Sequence, residues 1–200
     1  MAPEFKDIQH IVLSVRKEKI ESYTTLLQFG VLLESQIGQS MGVFLTSLPD
    51  FDMNYIVDRI QTIFLDGSAI DDMETLFTNS SPVLALSAAM PGLAGAIFRK
   101  NSLHAALRTA DSKNVLAGQT NSQILVCLKL FNMIAVEKGP GLLEKGGIFS
   151  GSALLDFFTP QSQLRQNIAH IEVRRSSIDA ESFWSLLDPS LNYHLKISLI

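Results

Sequence analysis

Residues 60–71 read Ile-Gln-Thr-Ile-Phe-Leu-Asp-Gly-Ser-Ala-Ile-Asp, and this stretch decides the expected fold. A β-branched apolar run precedes Asp-Gly, a dipeptide typical of tight hairpin turns. Residues 168–179 read Ile-Ala-His-Ile-Glu-Val-Arg-Arg-Ser-Ser-Ile-Asp and share five of the twelve residues at matching positions. The first stretch predicts a β-hairpin, and the likeness indicates the same element in the second half of the chain.

Further likenesses follow the same order in both halves. Three pairs of segments match, namely 11–16 with 124–129, 26–30 with 142–146, and 41–48 with 152–158, and Pro49 and Pro160 follow the last pair. We therefore predict an α+β protein of two similar halves with mixed sheets, each with a short helix, over residues 5–96 and 120–200. A bridging helix and linker at 97–119 joins them. Short α+β segments also resemble one another without duplication, and that is the alternative.

The composition excludes several classes of protein. The chain has 200 residues, 46% of them hydrophobic and 18% charged, with a formal net charge of −4. This apolar fraction excludes a disordered chain, which lacks the apolar surface needed to offset the entropy of ordering. The acidic balance argues against nucleic acid as a partner, because nucleic-acid binding needs a basic face that neutralises phosphates.

The element order of the first half resembles the ubiquitin-like β-grasp superfamily, and most closely its small sulfur-carrier proteins. The third predicted strand ends in Phe64-Leu65-Asp66-Gly67, and a fourth apolar strand follows at 83–86. Residues 90–95, Met-Pro-Gly-Leu-Ala-Gly, stand where those proteins carry a glycine-rich tail. The likeness covers roughly residues 31–95 and implies that each half is β-grasp-like. Sulfur carriers end in a free Gly-Gly whose carboxylate is adenylated, whereas this sequence continues to Ile200, so carrier chemistry would require cleavage.

No cluster of residues in the sequence predicts a catalytic or metal site, and no cofactor is expected. The histidines at 10, 104, 170 and 194 lack the spacing of metal-binding motifs, and no Gly-x-Ser-x-Gly elbow is present. Three of them flank or lie in predicted strands, so folding can bring two together; partly buried or edge histidines are the alternative. The single cysteine, Cys127, lies in an apolar run, so we expect an inert thiol and a reducing, cytoplasmic location.

The segment 90–108 is the main candidate binding site. A glycine-bearing apolar loop precedes a predicted helix with cationic side chains, a combination that offers charge-assisted hydrogen bonds to a small anion or an acidic protein. The alternative is an inter-domain connection whose charges face water. The candidate residues are Gly92, Gly95, Arg99, Lys100, His104 and Arg108.

Two other segments carry weaker signals. Residues 145–152 form a glycine-containing stretch before a predicted helix, and its backbone N–H groups can hold an anion; a plain strand-to-helix loop is the alternative. Residues 79–98 lack charge and are long enough to span a bilayer. Proline and glycine interrupt them, so we expect a buried strand and loop and no membrane partner, with a membrane helix as the alternative.

These observations predict a non-catalytic binding or protein-interaction module, with enzyme activity left open. The alternative is a sulfur-carrier-related protein or a small enzyme that uses the segment 90–108.

Overall fold

A single ten-stranded mixed sheet organises the chain in the computed structural model, which describes residues 8–89, 92–100 and 122–200. The protein is α+β, as the sequence predicts. The strands are β1 (Gln9–Val15), β2 (Val31–Gln36), β3 (Thr62–Leu65), β4 (Ser68–Ala69), β5 (Val83–Ser87), β6 (Gln123–Phe131), β7 (Gly147–Ser150), β8 (Ile168–Val173), β9 (Ser176–Ile178) and β10 (Asn192–Leu199).

Short helices connect these strands. A 3₁₀ helix spans Lys17–Gln28, and the α-helices are α1 (Met41–Thr46), α2 (Met53–Arg59), α3 (Gly92–Phe98), α4 (Asn132–Lys145), α5 (Gly151–Phe158), α6 (Ser162–Gln166) and α7 (Ala180–Leu186). Ser40 caps the start of α1, because its hydroxyl accepts a hydrogen bond from the Val43 N–H. In α5 the capping residue is Ser150, whose hydroxyl accepts a hydrogen bond from the Ala153 N–H.

Parallel and antiparallel strand pairings follow one another in the same order from either edge of the sheet. The strand order is β4-β3-β5-β6-β2-β7-β10-β1-β8-β9. From each outer hairpin inward, the pairings are antiparallel, antiparallel, parallel and antiparallel, and β2 meets β7 antiparallel at the centre. The centre of the sheet is therefore where two five-stranded groups meet.

Two strands lie in the group formed mostly by the opposite half of the sequence. β1 lies between β10 and β8, whereas β6 lies between β5 and β2. The predicted halves 5–96 and 120–200 therefore share one continuous sheet and exchange one strand each. The bridging helix and linker at 97–119 lie mostly outside the described residues.

Strand alternation separates a buried face from an open one. In β1 the side chains of Ile11, Leu13 and Val15 are fully buried, while the residues between them point to the other face. The 3₁₀ helix and α4 pack against one another and against the sheet on the buried face. α3 lies on the open face, where the Phe98 ring contacts the Phe64 ring at a centroid distance of 5.3 Å.

Two elements, β7 and α4, contain glycine or proline and were not predicted from the sequence. β7 occupies part of the stretch 145–152 that was expected to be a loop, and α4 contains the turn-like sequence Gly139-Pro140-Gly141. A Cβ at Gly139 would lie 2.8 Å from Thr24 Cγ2, so this glycine permits close helix packing.

The uncharged stretch 79–98 contains the expected buried strand, β5, but part of its expected loop is the short helix α3. None of the helices in the described residues has both the length and the apolar content needed to cross a membrane.

Candidate functional site

A row of side chains crosses the open face of the sheet through its centre. The strand registers place Cys127 beside Leu32, Leu32 beside Ile148, Ile148 beside His194, and His194 beside His10. The row therefore changes from apolar on the β2 side to polar on the β10 side. Folding brings two of the strand histidines together, since the His10 and His194 rings lie with their centroids 4.8 Å apart; His194 is also half-buried, as the alternative expects.

A cavity of about 330 Å³ lies beside the central row, where Gly146 follows α4 and Gly147 begins β7. Neither glycine carries a side chain that would fill the space between the flanking strands. Gly146 has a φ of +88°, and a Cβ there would lie 2.9 Å from His194 Cε1. The cavity walls combine apolar and polar groups from both five-stranded groups: Leu32, Leu33, Glu34, Ser47, Leu48, Lys145, Ile148 and His194.

Two side chains of opposite charge line this central cavity but do not form an ion pair with one another. Glu34 on β2 and Lys145 at the end of α4 are both exposed, and neither forms a hydrogen bond or ion pair with another described residue. A carboxylate accepts hydrogen bonds only, and an ammonium donates them only. The cavity therefore offers one acceptor and one cationic donor to a ligand.

His194 adds a half-buried imidazole to the cavity. Loss of hydration lowers the pKa of His194 below its usual value, and the neighbouring His10 lowers the pKa further. The ring is therefore neutral at neutral pH and presents one donor nitrogen and one acceptor nitrogen.

We expect His194 to make the folded protein less stable as the solution is acidified. The unfolded chain has an ordinary histidine pKa of about 6.5 and binds the proton more readily, so stability falls as the pH drops through that value and recovers above it. Urea unfolding at several pH values measures this dependence, and NMR titration reports the ring directly. The variant His194→Gln should have a weaker dependence; a titration midpoint at or above the ordinary value would contradict the expectation.

The described residues lack the geometry for thiol catalysis at this site. Burial raises the pKa of the Cys127 thiol, which keeps it protonated. Three strand spacings separate Cys127 from His194 along the row, about 14 Å, which is far beyond hydrogen-bond reach. In the described part of the chain, no group of three or more His, Cys, Asp or Glu side chains is arranged to hold a metal ion.

The sequence-predicted site residues are only partly within the described residues. Gly92 and Gly95 lie in α3, and Arg99 and Lys100 follow it directly. His104 and Arg108 lie outside the described residues.

Lys100 caps a helix. Its Nζ donates to the carbonyl oxygens of Ile56 and Val57, at 3.2 and 3.1 Å, at the C-terminal end of α2. Its backbone N–H donates to the Gln61 carbonyl at 2.6 Å. Loss of hydration lowers the pKa of this ammonium, although Asp71 and Asp58 act in the opposite direction. The cation thus satisfies free carbonyls where helices favour positive charge.

The other candidate anion site is the stretch 145–152. Backbone N–H groups at the start of its helix, α5, already donate hydrogen bonds to other groups of the protein. The Ser150 hydroxyl accepts from the Ala153 N–H at 3.1 Å, and the Gly151 N–H donates to the Leu191 carbonyl at 2.7 Å. The glycine at 151 permits close approach of the chain at Asp188. The part of this stretch that lines a cavity is instead Lys145, Gly146, Gly147 and Ile148.

Comparisons of the chain with protein-family models, with curated proteins and with solved structures give no significant match.

Proposed function

We propose that the protein is a non-catalytic binding module whose ligand occupies the central cavity. The observation that carries this proposal is the pair Glu34 and Lys145, two opposite charges that line one cavity and have no partner among the described residues. A volume of about 330 Å³ lies within the usual range for sites that bind small molecules. The acidic-protein or small-anion partner expected from sequence remains part of this proposal, with Lys145 as the group that would meet an anion.

The cavity chemistry favours a small dipolar ligand. Leu32, Leu33 and Ile148 provide apolar surface next to the two charged side chains, and His194 provides a neutral ring. Apolar walls with a few placed polar groups are typical of small-molecule sites, where the polar groups fix the orientation. We infer a ligand with an amino group, a carboxylate and a compact alkyl part.

We also infer that the sheet contains a duplicated unit. The matched sequence segments fall on elements of the same kind: β1 and β6, the ends of the 3₁₀ helix and α4, α1 and α5, and the hairpins β3–β4 and β8–β9. Gly30 and Gly146, at matched positions, both have positive φ. One observation counts against a simple repeat. β1 and β6 match in sequence, but they do not occupy equivalent positions in the two five-stranded groups: the position of β1 is equivalent to that of β5, and the position of β6 is equivalent to that of β10. The β-grasp resemblance of each half stays a prediction.

The remaining expectations stay predictions. A sulfur-carrier-related protein or a small enzyme would use the segment 90–108, most of which lies outside the described residues. The cytoplasmic location rests on cysteine usage alone.

Three probes with the same branched alkyl group test the proposed function. We expect leucine to bind, and calorimetry to show about tenfold weaker binding after either Glu34→Gln or Lys145→Met, since each removes a charge-assisted hydrogen bond. Isocaproate should respond only to Lys145→Met, and isoamylamine only to Glu34→Gln. The exposed, charge-matched variants Glu144→Gln and Lys17→Met serve as controls. Absence of binding by all three probes, or equal losses in the controls, would reject the central cavity as the site.

A further inference from the structure

The turn between β8 and β9 contains two arginines in a backbone conformation that favours glycine. Arg174 and Arg175 have φ values of 52° and 68°. In the corresponding hairpin, β3–β4, the same two positions are Asp66 and Gly67, with φ values of 52° and 82°. Such two-residue turns favour Asn-Gly or Asp-Gly, because side chains with a Cβ are strained at positive φ. The turn therefore holds two long cationic side chains where shorter residues would be more stable.

These arginines line a second cavity on the open face of the sheet. Its volume is about 380 Å³, and its walls also include Ile8, His10 and Val12. The register fixes this arrangement, since the Arg174 N–H donates to the His10 carbonyl at 3.0 Å and Val12 lies opposite Glu172. The second cavity shares no lining residue with the central cavity, although His10 of the second and His194 of the first are in ring contact.

The wall of this second cavity contains two positively charged side chains, Arg174 and Arg175, and one negatively charged side chain, Glu172. Within the described part of the chain, neither guanidinium forms a hydrogen bond or an ion pair. The one carboxylate in the wall, Glu172, lies 3.4 Å from His170 Nε2, an atom outside the cavity wall. In a protein of net charge −4, this is a local cationic surface assembled from β1 and the β8–β9 turn.

We propose that this second cavity binds a phosphate monoester of a small molecule. Guanidinium groups match the geometry of phosphate oxygens and donate to them in pairs, and two fixed positive charges favour a dianion over a monoanion. Ile8 and Val12 provide apolar surface for the organic part of the ester. Strained backbone at a ligand-binding position is a recognised pattern, since strain persists where the surrounding structure maintains it.

The test is a variant that repairs the turn and removes the charges together. Arg174→Asn with Arg175→Gly restores the preferred turn sequence, so we expect a higher Tm, by about 2–4 °C for a chain of this length. The same variant should bind phenyl phosphate at least about tenfold more weakly than the wild-type chain in calorimetry at low salt. A gain in stability together with a loss of binding distinguishes a ligand site from a structural role of the arginines.

Matched probes and a matched variant complete the experiment. Inorganic phosphate tests whether the organic part contributes, and benzoate, a monoanion with the same ring, should bind more weakly than phenyl phosphate. The control Arg16→Gln with Lys17→Gln removes two exposed, adjacent positive charges elsewhere and should leave binding unchanged. The proposal is overturned if the wild-type chain does not bind phenyl phosphate, if the turn variant binds it equally well, or if the control loses binding to the same extent.

Discussion

Residues 5–96 and residues 120–200 are each expected to remain unfolded when expressed alone. The first segment lacks β6, which lies between β5 and β2, and the second lacks β1, which lies between β10 and β8. β6 alone contributes four side chains that are at most 5% exposed: Ile124, Val126, Leu128 and Leu130. Their burial stabilises the fold by about 6–12 kcal/mol in total, which is comparable to the whole net stability of a typical domain.

Circular dichroism and NMR dispersion of the two segments measure this outcome. The control is co-expression of residues 1–110 with residues 111–200, which together contain every strand of the sheet. We expect this pair to associate and to give the spectrum of the intact chain. A well-dispersed NMR spectrum from residues 5–96 alone would show that β5 and β2 do not need β6 between them.

The variant Gly151→Ala is expected to lower the free energy of unfolding by about 3–5 kcal/mol, among the largest effects of a single methyl group. A Cβ at this position would overlap the Asp188 carbonyl oxygen and lie 3.1 Å from Tyr193 Cε2. The carbonyl cannot retreat easily, since the Asp188 N–H donates to the Tyr193 hydroxyl at 2.7 Å and the Gly151 N–H donates to Leu191. Tyr193 itself is fully buried.

Thermal or urea unfolding measures the effect, and Gly38→Ala is the control. Gly38 has a φ of +87° but open space around it, so its substitution should cost only about 1 kcal/mol from backbone strain. If Gly151→Ala were no more destabilising than Gly38→Ala, the contact at Asp188 would not be the reason for glycine at this position.

Local sequence patterns are enough to identify most of the strands but not their partners. The runs in β1, β5, β6, β8 and β10 are apolar or alternate along the chain, and this pattern depends only on which face each residue occupies. The neighbours of β1 come from residues more than 150 positions away, and no local pattern contains that information. α4 and β7 were missed for a different reason: their glycines serve close packing, which depends on tertiary contacts.

The central cavity could not be predicted from the sequence, because its charged residues belong to elements that are far apart in the chain. Glu34 lies on β2 and Lys145 at the end of α4, and only the pairing of β2 with β7 brings them to one cavity. The alternation of β2 places Glu34 on the same face as Leu32, but this signal gives no opposing group. The segment 90–108 was easier to identify from the sequence than the central cavity, because its positively charged residues are close together in the chain. One of them, Lys100, nevertheless stabilises the end of α2.

The position of β1 has a consequence for how the protein is made. Both of its partners, β8 and β10, lie in the last third of the sequence, so β1 leaves the ribosome long before either is available. Pairing between such distant segments forms slowly, because a long loop must close before the contacts stabilise it. The alternating apolar side chains of Ile11, Leu13 and Val15 therefore lack their partner strands through most of translation, and unpaired apolar strands of this kind are prone to association.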